Sequence, residues 1–392
     1  MDFVIFSTAD WDNPFWTNKQ HVAATLAQLG HRVLYIDSMG LRKPAVAKSD
    51  LSRIFRRFSR LLHGVRKVHP NVWVVSPFSI PLQSIPFIRR LNSRLLQWHL
   101  QRIIGSLGFR DPILWTYSPL SADVVRSLNS QLRIYHCVDE IKAQPGMPAE
   151  LIEKEEKDLL AVVDHVFVTA KELLMSRSAF HSHVHYLPNV ADFQHFNQAM
   201  TDKLPYPQDI KTLSKPIIGF IGAISGYKLD FSLIREMVAL RPQYQFVFIG
   251  KIGEGDPWTD IQCLKNLPNL HFIGPKDYQE IPAYLQQFSA CLLPCVINDY
   301  TRNMFPMKFF EYLAAGRPVV TTPLPSLNVY SALCYTAATA EEFVNCLDQA
   351  VFYPDEEKRQ RGLAEASRNT YLSRMKTMLQ IIGVDERLEE SL

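Results

Sequence analysis

A chain of 392 residues, 47% apolar and 21% charged, is too long for one ordinary core and too apolar for disorder, so two domains of roughly 150 to 200 residues are expected. The net charge of +3 conceals a strong local bias, because residues 51–110 hold eleven Arg or Lys and no Asp or Glu. An apolar run of about 18 residues and a basic-then-apolar leader are both absent, which argues against a spanning helix and a secretory signal and makes the cytosol the expected compartment.

In chain order, residues 2–7, DFVIFS, predict a short strand that runs into a polar loop, and HVAATLAQLGHRVLYID then predicts helix, turn and strand. This is a βαβ opening. Gly30 suits the turn, and VLYI is apolar on both faces, as a buried parallel strand must be. The loop between strand and helix has no glycine, so the fingerprint that brings a dinucleotide pyrophosphate close to the backbone is missing and no NAD site is expected. From Leu51 to Val68 the spacing predicts an amphipathic helix, with Leu51, Ile54, Phe55, Phe58, Leu61, Leu62 and Val65 on one side. Arg53, Arg56, Arg57, Arg60 and Arg66 fall largely on the other side. Two readings stand open: a sheet-covering helix with a solvated arginine face, or a surface that lies on anionic lipid. Its aromatic residues occupy core-facing positions and are not interleaved for base stacking, so nucleic acid is not an expected partner.

VWVVS, ILWTYSP and the strand from Ile134 to Glu140 continue the alternation, with FIRRLNSRLLQWHLQRIIGSLG as a long helix between the first two. The third strand presents His136 and Asp139 near its carboxyl end, where open α/β sheets bind ligands. His181, His183 and His185 alternate, and a strand would put them on one face; without an acidic or cysteine partner nearby a metal site is not expected. Cys137, Cys263, Cys291, Cys295, Cys334 and Cys346 are dispersed, which fits reduced thiols, and a lone C-x-x-x-C at Cys291 and Cys295 is a weak metal signal. Residues 196–215, rich in proline and without clear periodicity, are predicted as a linker. The expected division is 1–195, linker 196–215, 216–370, and a C-terminal helix or tail over 371–392.

After the linker, PIIGFIGAISGYKLDFSLIREMV predicts strand, glycine loop and helix. Amides of such a loop cradle phosphate, and Lys228 adds a charge, although G-K-[ST] is missing and this is no Walker A loop. Further on, NDYTRNMFPMKFFEYLAAGRPVVTT predicts loop, helix, tight turn and strand. Pro306 fits the first helical turn and Gly316 the left-handed position past its end. Met307, Phe310, Leu313 and Ala314 form an apolar face, with Lys308 and Glu311 side by side on another.

The order P-x-K-x-x-E-Y-x-A-x-G-x-P-V-V from Pro306 to Val320, with G-x-x-x-x-x-K from Gly222 to Lys228, resembles the nucleotide-sugar site of retaining GT-B glycosyltransferases of the group 1 family. The resemblance implies an α/β chain with two Rossmann-like domains facing across a cleft. It further implies glycosyl transfer from a nucleoside-diphosphate sugar to a glycan or lipid-linked acceptor in cell-surface polysaccharide synthesis. No metal and no cofactor beyond that donor is implied. By the same resemblance Glu311 holds the ribose, Gly222, Lys228, Lys308 and the helix start at Pro306 hold the diphosphate, and Asp139 with His136 line the cleft. Trp11, Trp16, Asn18 and Lys19 face it from the first loop, and PNVAD resembles the inter-domain P-N-G-x-D. Val190 replaces the glycine of that segment, and two positions of the donor site depart from the pattern as well. Asn303 stands where a glutamate near the donor sugar is usual, and Ala223 where an arginine follows the glycine, so one carboxylate and one cation are replaced by uncharged groups. A nucleotide-sugar-binding scaffold without turnover and a nucleotide-sugar epimerase are the alternatives on the same fold. A lipid-linked acceptor would suit a protein peripheral on the inner face of the cell membrane.

Overall fold

The structure is a computed structural model and describes residues 1–13, 16–38, 64–77, 86–201 and 203–384. It divides into two units, Met1–Leu187 with Met375–Leu392, and Pro188–Arg374.

The first unit is built on eight strands: β1 (Asp2–Phe6), β2 (Arg32–Ile36), β3 (Arg66–His69), β4 (Val72–Val75), β5 (Ile113–Thr116), β6 (Arg133–Cys137), β7 (His165–Val168) and β8 (Val184–Tyr186). Their order is β3-β4-β2-β1-β5-β6-β7-β8, parallel except for the β3–β4 pair. Short apolar runs become these strands because both faces are covered: Val4, Phe6 and Leu34 pack on one side, Phe3, Ile5 and Tyr35 on the other. The helix Asn18–Gln28 ends as its glycine predicts, with Gly30 at φ 83 donating to Ala27 O and His31 donating to Leu26 O. The second face is completed from far along the chain by Met375, Met378, Leu379, Ile382 and Val384.

The second unit has six parallel strands, β9 (Ile217–Ile221), β10 (Gln245–Ile249), β11 (Leu270–Phe272), β12 (Ala290–Leu293), β13 (Val319–Thr321) and β14 (Tyr335–Thr336), in the order β11-β10-β9-β12-β13-β14. The order reverses at β9 and β12, and the carboxyl ends of that pair open the crevice where such sheets bind ligands. Gly219, in the middle of β9, has no room for a side chain, since a Cβ there would meet the Phe288 ring at 2.0 Å.

Three expectations change. The helix predicted to run through Val68 is broken: residues 51–63 lie outside the described residues, Gly64 adopts φ 59, and Arg66–His69 is an edge strand. Alternation of half-buried and exposed positions suits that edge, where Arg66 pairs with Asp12 at 2.9 Å and Lys67 lies over the Trp73 ring. The segment expected as linker contains the end of a helix, Phe193–Thr201, which buries Phe196 and Ala199 in the second unit. Asp192 starts this helix by accepting from the His195 N–H at 3.2 Å, and the prolines that suggested a linker follow only at Pro205 and Pro207. The chain accordingly changes unit at Leu187 and Pro188, and again at Arg374 and Met375, instead of once through residues 196–215.

Candidate functional site

In the second unit, β9 ends at Ile221 and the loop that follows is fixed almost wholly by backbone. Gly222 has φ 155, and a Cβ on the neighbouring Gly250 would lie 1.8 Å from the Gly222 carbonyl oxygen, so two strand ends approach as only glycine permits. Ile224 donates to Lys251 O at 3.1 Å, and Gly253 returns a bond to Ile224 O at 2.9 Å. Val296 donates to Lys228 O at 3.0 Å and Asn298 Nδ2 to Tyr227 O at 2.9 Å, which stitches the loop to the segment leaving β12. Lys228 stands half-buried beside the rings of Tyr227 and Tyr300, 5.4 and 5.5 Å from their centroids. Among the described residues no carboxylate forms an ion pair with it. The helix after the loop, Phe231–Leu240, already has its start occupied, because Asp230 accepts from the Leu233 N–H at 3.0 Å.

The second half of the site is the helix Met307–Ala314, with Pro306 as its N-cap and Gly316, at φ 62, just past its end. Residues Phe309 through Ala314 are all buried, so the helix is covered nearly all round and the single apolar face expected for it is too narrow a description. Glu311 is 4% exposed and receives Lys308 Nζ at 2.6 Å. The pair is not the surface contact that its spacing alone would suggest. Tyr312 reaches from the same turn to β9, where its hydroxyl accepts from the Ile221 N–H at 2.9 Å, one residue before Gly222. Asn189 Nδ2 donates to Phe305 O at 2.8 Å just ahead of the helix. The P-x-K-x-x-E-Y spacing thus has a mechanical content: the half-exposed lysine reaches the buried glutamate one turn on, while the tyrosine locks the helix to the glycine loop.

Sequence reasoning missed two residues near this pair. His195 stacks on Tyr278 with ring centroids 4.0 Å apart, and its Nε2 lies 2.9 Å from Tyr278 O. Burial lowers the His195 pKa, with Lys308 acting in the same direction and Asp192 and Glu311 opposing it. The Tyr278 phenol is pushed far up by burial and then by the Asp192 and Glu311 carboxylates. The D-x-x-H pattern of a capped helix start was the signal available for His195; Tyr278 had none.

Asn303 closes the four-residue helix Asp299–Arg302 and donates from Nδ2 to Asp299 O at 2.7 Å. Asn298, which the sequence reading did not single out, opens the same helix by accepting from Tyr300 and Thr301 amides at 3.0 and 2.9 Å.

In the first unit, His136 is buried inside β6, enclosed by the rings of Trp115, Tyr117 and Phe167. Lys19, at the start of its helix, lies 5.6 Å from the Tyr117 ring, and Tyr117 lies 4.9 Å from His136, so residues far apart in sequence meet around one phenol. Asp139 is half-buried past the end of β6, and its carbonyl receives the Ile141 N–H at 3.0 Å. Trp11 packs on both Trp16 and Tyr35, and its backbone N–H donates to Asp37 Oδ1 at 2.8 Å. Asn18 is buried at the same helix start. Next to Asp139, Glu140 joins Arg177 at 2.6 Å, and Arg177 also meets Glu156 at 2.9 Å, all three buried. This ionic triad fixes the loop that carries Asp139.

The alternating histidines do not share a strand face, because β8 is only three residues long and contains only His185. His181 Nε2 lies 3.0 Å from Val163 O and His183 Nδ1 3.2 Å from Asp164 O. Among the described residues no group of three or more His, Cys, Asp or Glu is placed to hold a metal. Cys291 and Cys295 are buried free thiols, and burial pushes Cys295 up to about 12. Among the described residues no helix is long and apolar enough to cross a membrane.

Residues 215–351 match the model of the family Glycosyl transferases group 1. A Bacillus subtilis (strain 168) protein assigned to teichuronic acid biosynthesis as the glycosyltransferase TuaH is 34% identical over 159 residues. That match spans 40% of this chain and 39% of the relative. Among solved structures, sucrose-phosphate synthase from Thermosynechococcus elongatus superposes with a TM-score of 0.68 at 17% identity, covering 98% of this chain and 100% of the other. Anabaena HepE, solved in complex with UDP and glucose, gives 0.64 at 10% identity over 97% and 99%. WaaG, a glycosyltransferase involved in lipopolysaccharide biosynthesis, gives 0.61 at 12% identity over 98% and 100%. These likenesses give the chain a GT-B fold along its whole length, and residues 215–351, within the second unit, match the family Glycosyl transferases group 1.

Proposed function

We propose that the protein transfers a hexosyl group from a nucleoside-diphosphate sugar to a glycan or lipid-linked acceptor of cell-surface polysaccharide synthesis, with retention of configuration and without a metal. The observation that carries this is the buried Glu311, held by Lys308 and locked through Tyr312 to the Gly222 loop. A carboxylate in that setting suits paired ribose hydroxyls, and a uridine nucleotide is the first to try, since HepE was solved with UDP.

In the reaction the bond from the anomeric carbon to the diphosphate oxygen breaks, and the acceptor oxygen bonds to that carbon and passes its proton to the departing diphosphate. Negative charge grows on the departing diphosphate. Lys228, the amides from Gly222, Lys308 and the first turn after Pro306 are assigned to that charge, and fixed donors of this kind supply a large electrostatic term. Asp139 and His136 are assigned to the acceptor side, and Asn303 to a sugar hydroxyl. Peripheral attachment at the cytoplasmic face of an anionic membrane would bring a lipid-linked acceptor by lateral diffusion, and the acid-free span over residues 51–110 supports it.

Lys228 provides the test. Lys228→Ala is expected to lower kcat by about 100-fold, roughly 3 kcal/mol of barrier, with a smaller change in donor affinity, because the charge it meets develops in the transition state. The readout is free nucleoside diphosphate released only in the presence of acceptor, with and without chelator. An unchanged kcat would remove Lys228 from the mechanism. Donor binding with no release under any acceptor would favour a scaffold without turnover, the reading that Asn303, tied to Asp299 O, also supports.

A further inference from the structure

The helix Pro86–Ser106 carries one face of exposed apolar residues. Leu96, Leu100 and Ile103 turn into the core, and Arg89 pairs with Glu155 at 3.1 Å on that inner side. Opposite them, at successive spacings of four, four and three residues, stand Phe87 (75% exposed), Leu91 (37%), Leu95 (38%) and Trp98 (56%). Between these apolar residues lie Arg90, Arg94 and Arg102, all exposed, with the Arg102 guanidinium 4.5 Å from the centre of the Trp98 ring. Among the described residues none of the three arginines forms an ion pair. The helix has no acidic residue.

We propose that this face is the membrane-docking surface of the protein, with the helix lying in the plane of an anionic leaflet, Phe87 and Trp98 among the acyl chains and the arginines at the phosphates. Charge selects the occupant. A protein partner would need to supply three acids to an apolar stripe, whereas an anionic bilayer supplies phosphate at any spacing and apolar depth beside it. Length fits as well, since 21 residues of helix extend roughly 30 Å and offer a long contact line. Aromatic and arginine side chains together are what an interface with one apolar and one charged side accommodates. The proposal rests on the peripheral reading given above but moves it to a different element, from residues 51–68 to this helix.

The test is sedimentation of the full chain with phosphatidylcholine vesicles containing increasing phosphatidylglycerol. Binding is expected to rise with the anionic lipid and fall with salt. Phe87→Ser with Trp98→Ser is expected to lower partitioning by about 100-fold. Arg90→Gln, Arg94→Gln and Arg102→Gln together should lower it by a similar factor. All five positions are exposed, so circular dichroism should show both variants folded, and turnover on a soluble acceptor should equal the parent's. If the parent binds vesicles and both variants bind equally, this face is overturned while peripheral attachment stands. If the parent does not bind, both fall together. If the parent is a dimer in the ultracentrifuge and the serine variant a monomer, with no vesicle binding by either, a second copy covers the face and the proposal is refuted.

Discussion

Replacing Glu311 by glutamine isolates the assigned ribose contact from the fold. The side chain keeps its volume in a site where the carboxylate is 4% exposed, so no cavity opens. Its partner Lys308 has a side chain 32% exposed, so the ammonium released from the 2.6 Å contact can turn into solvent, and the stability cost should stay near 1 kcal/mol. Binding is a different matter. A carboxylate accepts from two adjacent hydroxyls with charge-assisted bonds, whereas an amide offers one acceptor oxygen and places an N–H against the other hydroxyl. Losing one charged bond costs about 1.5 to 3 kcal/mol, which is roughly 10- to 150-fold in Kd. Titration calorimetry with the uridine diphosphate sugar that best stabilises the parent reads this directly, and thermal unfolding without ligand checks the fold. Equal Kd values for variant and parent, with both folded, would refute the assignment of this helix to the donor.

Two further outcomes concern the first unit. Arg177→Met leaves Glu140 and Glu156 buried without their cation and should destabilise the protein by about 3 to 5 kcal/mol in urea unfolding, and adding Glu140→Gln and Glu156→Gln should restore most of the loss. His31, whose Nδ1 lies 3.2 Å from the Met1 ammonium, is lowered from 6.5 to about 4 by burial and then by that charge. A histidine held neutral in the fold protonates more readily when unfolded, so its contribution to stability is full above 6.5 and is lost as pH falls toward about 4. His31→Gln should therefore flatten the acid limb of a melting-temperature profile over that window, and a parallel profile would show that another group sets it.

Much of this fold is legible in the sequence because buried parallel strands are continuous apolar runs punctuated by glycine and proline. VLYI, ILWT and FVFI announce themselves, and Pro306 and Gly316 bracket the helix of Glu311 by backbone chemistry alone. The lysine loop is legible for the same reason. Partner choice over long separations is not. Glu156 reads as one more charge on an acidic helix until Arg177 arrives 21 residues later, and Tyr278 stacks on His195 from 83 residues away. Short elements also escape: β3 looks like the end of the preceding helical pattern because four residues are too few to set a period against it. Asn303 was legible as a departure from the family pattern, but its bond to Asp299 O depends on a one-turn helix that leaves no periodicity to read.

The chain leaves its first unit after Leu187 and returns at Met375 to supply part of that unit's core. During synthesis the first sheet therefore emerges with one face only partly covered, and the side chains that complete that cover, from Met375 to Val384, are made only after the entire second unit. The second unit has all of Pro188–Arg374 in one stretch and can close as soon as it clears the ribosome. Genetic exchange meets the same constraint. A hybrid joined at a single point would separate the first sheet from its final helix, whereas excision between both crossings would transplant the second unit as a cassette.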